Sequence, residues 1–188
     1  MSHVTVDPET GNLIIEGMEA DEVADKFGDL IGAPSVPLVC DYRDRFGYGP
    51  WQEEADRYQW HYGDTGIVCM SRRAYHGAFC GYVGVPRNHP AWGIDFRLVQ
   101  EFANPGIHGG LDYSARCDGD QETGICHVPE PGEDDDLWWF GFSCDKEGDL
   151  VPLYKDAPGA NHYWDHAEVK QECERLAEFF RKEPLANI

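Results

Sequence analysis

Six consecutive residues, Leu137-Trp138-Trp139-Phe140-Gly141-Phe142, are apolar on both of the faces that an extended chain presents alternately. A strand with no polar face needs cover on both sides, so this segment is expected to lie at the centre of a sheet with material packed above and below it. One covering element is legible at the C-terminus. Val169, Cys173, Leu176, Ala177 and Phe180 fall on one stripe at helical spacing. Asp165 with Glu168 three residues on forms a capping box, Arg181 and Lys182 suit the negative end of the helix dipole, and Pro184 stops it.

Shorter strands are expected before the central one. Tyr58 to Tyr62 and Ile67 to Met70 flank Gly63-Asp64-Thr65-Gly66, a turn, and Tyr75 to Val85 reads as a strand broken by Gly77, Gly81 and Gly84. Asp95 caps a short helix carrying Leu98, Val99 and Phe102. At the N-terminus, Val4-Thr5-Val6 and Leu13-Ile14-Ile15 flank a turn over residues 7–12, forming a β-hairpin. A helix follows, with Val23, Phe27, Leu30 and Ile31 on one face and Gly32 at its end. Ala33-Pro34-Ser35-Val36-Pro37 then breaks the chain. The fold class is therefore α+β: a mostly antiparallel sheet with a C-terminal amphipathic helix over residues 39–188, plus an N-terminal hairpin-and-helix appendage over residues 1–38.

Charge divides the chain unevenly. The net charge is −20 over 188 residues. Residues 1–41 hold nine acids against Lys26 alone, and residues 117–145 hold nine acids and no base. Between them, residues 42–116 balance eight acids with eight arginines. Such a field repels nucleic acid and anionic membranes and attracts basic surfaces. A protein acidified only for solubility in a salt-adapted or high-GC background is the plainer reading, and five lysines against ten arginines fit it. No run of about 18 apolar residues and no charged-then-apolar N-terminus is present, so neither a membrane span nor a signal peptide is expected. The seven cysteines include no CxxC pair and read as reduced, mostly buried thiols of a cytoplasmic protein.

Several residues have the chemistry for a site. His108, Cys126, His127, Cys144 and Asp145 are suitable ligand types for zinc or another divalent ion, though they match no HExxH, paired CxxC or EF-hand spacing. The same set supplies the catalytic candidates, His108, His127 and Asp145. His162 and His166 are four apart but straddle Asp165 at the helix start. No G-x-S-x-G elbow is present, and Cys126 beside His127 would point to the opposite face of a strand. His108-Gly109-Gly110 could nest a phosphate with Arg72, Arg73 or Arg87 nearby, and Trp51, Trp92 or Trp138 could stack on a base. The acidic run Glu130-Pro131-Gly132-Glu133-Asp134-Asp135-Asp136 is either a solvated loop or a mimic of a phosphate backbone.

The pieces CGYVGVPRNHPAWG (80–93), IHGGLDY (107–113), ICHVPEP (125–131), DDLWWFGFSC (135–144) and EVKQECERLA (168–177) carry a further reading. In this order, across residues 46–180, the chain resembles a group of small proteins encoded by bacteriophages and prophages. The resemblance implies an origin rather than a chemistry, and the first 45 residues stand outside it. The group often has a histidine two residues after the cysteine that follows WWFGF. Here that position is Lys146, so a metal site using it would lack a ligand.

Two functional expectations follow. In the first, a phage accessory protein in the cytoplasm of the infected cell, not an enzyme, binds a basic host or defence protein through a DNA-mimicking acidic surface. It would act as an inhibitor in counter-defence, binding no nucleic acid or membrane directly. Glu130, Glu133, Asp134, Asp135 and Asp136 would supply the charge, and exposed aromatics such as Trp51 the anchors. In the second, a small-ligand protein sequesters a nucleotide or uses a divalent metal for hydrolysis. Its site would be centred on His108 and His127, with Gly109, Gly110, Asp145, Trp51 and Trp138 around it.

Overall fold

A computed structural model describes residues 3–6, 13–16, 43–117, 125–129 and 136–182. The chain divides into two compact units, residues 1–34 and residues 35–188. In the first, β1 (His3–Val6) pairs antiparallel with β2 (Leu13–Glu16), Val4 opposite Ile15 and Thr5 opposite Ile14. This is the expected hairpin. The helix expected over residues 21–31 lies outside the described residues.

The second unit is built on β3 (Arg57–His61), β4 (Val68–Arg73), β5 (Phe79–Val85), β6 (Tyr113–Arg116) and β7 (Trp138–Ser143). They form one antiparallel sheet in the order β3-β4-β5-β7-β6. β7 is thus an interior strand, hydrogen-bonded on both edges, although β5 rather than β7 lies at the centre of the sheet. A short helix, α1 (Phe96–Phe102), starts where the Asp95 side chain accepts from the Arg97 N–H at 2.9 Å. The long helix α2 (His166–Lys182) opens on the reciprocal capping box: Glu168 N–H donates to Asp165 Oδ1 at 2.9 Å, and Asp165 N–H to Glu168 Oε2 at 3.2 Å.

Alternation along the strands separates two cores. Phe79 and Val83 of β5 and Phe140 and Phe142 of β7 pack with Val169, Cys173, Leu176, Ala177 and Phe180 of α2. Val68 and Met70 of β4 and Trp139 of β7 point the other way and are covered by Ile125 and Leu137. Among the described residues, the second cover therefore comes from loop segments.

β5 begins four residues later than its sequence pattern predicts. Gly77, at φ 95°, forms a tight turn with Gly77 N–H to Ala74 O at 2.9 Å and Ala74 N–H to Ala78 O at 2.8 Å. Gly81 has a different reason to be glycine. A Cβ there would lie 2.3 Å from Phe142 Cζ and 2.7 Å from Cys173 Sγ, so this is where α2 approaches the sheet. Gly81→Ala is expected to lower stability by about 1–3 kcal/mol through overpacking, read as a shifted urea midpoint.

Candidate functional site

Three polar assemblies stand out, and each is built from segments distant in sequence. The first lies at the end of the sheet where β7 stops and β6 starts. Asp149 is buried, and its Oδ2 accepts from His108 Nε2 and from the Lys146 N–H, both at 2.8 Å. Its Oδ1 accepts from Trp164 Nε1 at 3.0 Å. The His108 ring lies 4.1 Å from the Trp164 ring, centre to centre. Because an ionised carboxylate only accepts, Nε2 carries the His108 proton. The carboxylate thus fixes the orientation of the imidazole, as in carboxylate–histidine pairs generally.

The hydroxyl that could complete such a pair is committed elsewhere. Ser143 Oγ donates to Asp112, and Lys146 Nζ donates to Ser143 Oγ at 2.8 Å and to Asp112 Oδ2 at 2.7 Å. Burial opposes the Lys146 charge, but the hydrogen bond and charge of Asp112 and the charge of Asp145 outweigh it, and its pKa is raised. A lysine held protonated cannot act as a general base toward Ser143. Asp145 joins the cluster on the other side, with His76 Nε2 at 3.3 Å. His76 Nδ1 accepts from the Ala78 N–H at 3.2 Å, which leaves the proton on Nε2, facing Asp145.

The glycine pair beside His108 forms a turn, with φ 63° at Gly109 and 75° at Gly110. Three N–H groups of this turn already have acceptors. His108 N–H donates to Glu172 Oε2 at 2.8 Å, Gly110 N–H to Ile107 O at 3.2 Å and Leu111 N–H to Gln100 Oε1 at 2.9 Å. The Lys146 stem crosses Gly109, where a Cβ would meet its Cε at 2.7 Å. A phosphate would have to displace all of these.

The arginines expected near that turn are also engaged. Arg73 is fully buried and donates to Asp56 Oδ1 at 2.6 Å, Glu54 Oε2 at 3.0 Å, Gly77 O at 2.7 Å and the Tyr163 hydroxyl at 2.7 Å. Its guanidinium lies over the Phe79 ring at 4.1 Å. This second assembly ties the loop before β3 and the segment before α2 to the sheet. Glu54 Oε1 also accepts the His166 N–H at 2.9 Å at the start of α2. His166 stacks on Tyr58 with ring centres 3.5 Å apart and bonds Ser71 Oγ through Nδ1 at 2.9 Å.

Burial lowers the His166 pKa from 6.5 to about 4, against the opposing charges of Glu54 and Asp165. The folded protein then binds fewer protons than the unfolded chain between these values. Stability from this group is complete above pH 6.5 and is lost as pH falls toward 4, by about 2 kcal/mol after allowing for partial exposure. His166→Gln is expected to flatten that part of the pH–stability curve, measured by urea unfolding at successive pH values.

The third assembly is on the opposite face. Cys117, at the end of β6, is disulfide-bonded to Cys126, with Cα atoms 4.6 Å apart. This corrects the expectation that all seven cysteines are free: the nine-residue separation gave no signal, but the strand end and the 125–129 segment meet over the sheet. His127 is buried beside Trp139, ring centres 5.9 Å apart. His108 instead bonds α2 on the other face, so no single site centred on both histidines forms. Cys144 is buried in the core facing α2, away from Cys126 and His127. Burial raises the thiol pKa of Cys80, to about 12, and of Cys69, Cys144 and Cys173, which makes them poor nucleophiles at neutral pH.

The tryptophans do not present open faces. Trp51, expected to be an exposed anchor, is buried; its Nε1 donates to Gly47 O at 3.0 Å, and its ring packs edge-on against Tyr163. Trp138 is partly buried against Trp92 and donates to Ile94 O at 2.9 Å. Among the described residues, the exposed aromatics are instead Tyr48, Tyr75, Phe102 and Tyr154. Three of these adjoin segments that meet: Leu153 N–H donates to His76 O at 2.9 Å, and Lys155 Nζ to Phe46 O at 3.3 Å.

Of the acidic run, Glu130, Glu133, Asp134 and Asp135 lie outside the described residues. Asp136 is described, and it is not a presented charge. Its carboxylate takes Arg87 Nη1 at 2.6 Å and Arg116 Nε at 2.7 Å and is largely covered. Asp136 therefore fastens the end of the run to the sheet, and Arg87 is committed there rather than to a phosphate. Among the described residues no helix is long and apolar enough to cross a membrane. Comparisons with protein-family models, curated proteins and solved structures find no match to this chain.

Proposed function

We propose that this is a phage-encoded accessory protein that binds a basic partner through its surplus carboxylates and is not itself a catalyst. The observation that carries the reading is how the domain spends its bases. Arg73, Arg87, Arg116, Lys146, Arg175, Arg181 and Lys182 all pair with carboxylates of the same domain. Residues 1–41 and 117–145 together hold eighteen acids against Lys26 alone. A surface of that kind attracts a groove evolved for phosphates and gains the counterion release that nucleic acid would gain.

Glu130, Glu133, Asp134 and Asp135 are the proposed charge-bearing residues. Tyr48, Tyr75 and Tyr154 replace Trp51 as the proposed aromatic anchors, since tyrosine supplies contact area at interfaces with a polar tip. The partner is a basic nucleic-acid-binding protein of the host or of its defences. Affinity capture from a bacterial host lysate with the tagged chain tests this. A basic DNA- or RNA-binding protein retained at low salt and released at high salt is the expected result; capture of no such protein, or of one indifferent to salt, would contradict it.

A further inference from the structure

We infer that Cys117, Cys126 and His127 form a site for one thiophilic divalent cation of the zinc type, open to the ion when the Cys117–Cys126 disulfide is reduced. The two Sγ atoms and an imidazole nitrogen all lie within 4.8 Å of one another. With Zn–S near 2.3 Å and Zn–N near 2.0–2.1 Å, ligand atoms around a tetrahedral zinc sit roughly 3.4–3.8 Å apart. Once the S–S bond is broken, side-chain rotation alone can bring the three donors to those distances. Among the described residues no other three His, Cys, Asp or Glu side chains bring ligand atoms so close.

The backbone of the site is held independently of the disulfide. Cys117 N–H donates to Leu137 O at 3.0 Å, continuing the β6–β7 ladder. Arg57 Nη2 donates to Cys126 O at 2.7 Å. Gln59 grips the next residue but one on both sides: its Nε2 donates to Val128 O and its Oε1 accepts the Val128 N–H, each at 2.9 Å. The dithiol is thereby kept in the geometry of the disulfide, which lowers the ordering cost of binding an ion. His127 is buried against Trp139, with Ile125 and Leu137 in the same cluster. Two thiolates in such surroundings are costly, whereas two thiolates on a dication are neutral overall.

The chemistry balances in two steps. A small thiol reduces the disulfide and leaves as its own disulfide, giving two protein thiols. The cation then displaces one proton from each thiol and takes the neutral imidazole as its third ligand, leaving a fourth position for water or another donor. Because both states use the same sulfurs, disulfide and metal exclude each other. This site is separate from the acidic surface proposed above and stands or falls without it.

Cobalt(II) titration of the full chain tests the assignment, with Zn2+ as competitor. The chain reduced by a phosphine is expected to take up one equivalent of cobalt with thiolate-to-cobalt charge-transfer absorption, and Zn2+ should abolish that absorption. The oxidised wild-type chain, which needs no substitution and keeps its fold, should take up none. Cys117→Ser and His127→Ala should each lose stoichiometric uptake. No cobalt uptake by the reduced chain, equal uptake by the oxidised chain, or uptake surviving either substitution would overturn the inference.

Discussion

Replacing Arg73 with leucine is expected to lower the free energy of unfolding by about 3–5 kcal/mol, the usual cost of removing one partner from a buried ionic cluster. The side chain has no exposed surface, and Asp56 beside it is 1% exposed. Burial opposes the Arg73 charge, but Tyr163, Glu54 and Asp56 outweigh it and its pKa is raised. Leucine would leave Asp56 and Gly77 O without their guanidinium donor, in a place water reaches poorly. Against a total stability of about 5–15 kcal/mol, the loss is a large fraction of what holds the domain together. Arg73→Lys should recover little, because one ammonium cannot reproduce a fork that reaches four acceptors. Urea unfolding decides the matter: an unfolding free energy within about 1 kcal/mol of wild type would show that the cluster contributes far less than a buried ion pair should.

Binding to the basic partner should fall about a hundred-fold as monovalent salt rises from about 50 to about 200 mM, if four carboxylates each stand in for a phosphate contact. The slope of log affinity against log salt would then be near −3 to −4. The same charges should speed association at low salt, since a field of one sign steers an oppositely charged surface. Surface plasmon resonance with the captured partner gives both numbers. A slope near zero would mean that the contact is apolar and that the charge distribution is incidental to it.

Much of the architecture could be read from periodicity. The two-sided apolar run became the interior strand β7, and the stripe with its capping box became α2, because both signals describe burial that only one arrangement satisfies. β6 was missed: Tyr113-Ser114-Ala115-Arg116 is a short edge strand, half-buried, with little apolar pattern to announce it. The site was less legible. Asp149, Cys117 and the Arg73 cluster depend on contacts such as His108–Asp149 and Arg73–Tyr163 that join segments 41 and 90 residues apart. Residue type could nominate His108 and His127, but only the course of the sheet between them shows that they belong to different assemblies. Trp51 departs from the expectation for a similar reason. Its glycine-rich surroundings suggest an exposed loop, yet the loop folds its ring inward against Tyr163.

The central claim is that function resides in surplus carboxylates rather than in the His108 assembly, and two variants measured side by side test it. One is the combined Glu130→Gln, Glu133→Gln, Asp134→Asn and Asp135→Asn change; the other is His108→Gln, which keeps a donor facing Asp149. Isothermal titration at low salt against the partner recovered from the lysate should show the neutralised chain weakened by about ten-fold or more, roughly 1.4 kcal/mol, with His108→Gln equal to wild type. The reverse pattern, binding lost with His108→Gln and kept on neutralisation, would contradict the account and move the function to the end of the sheet.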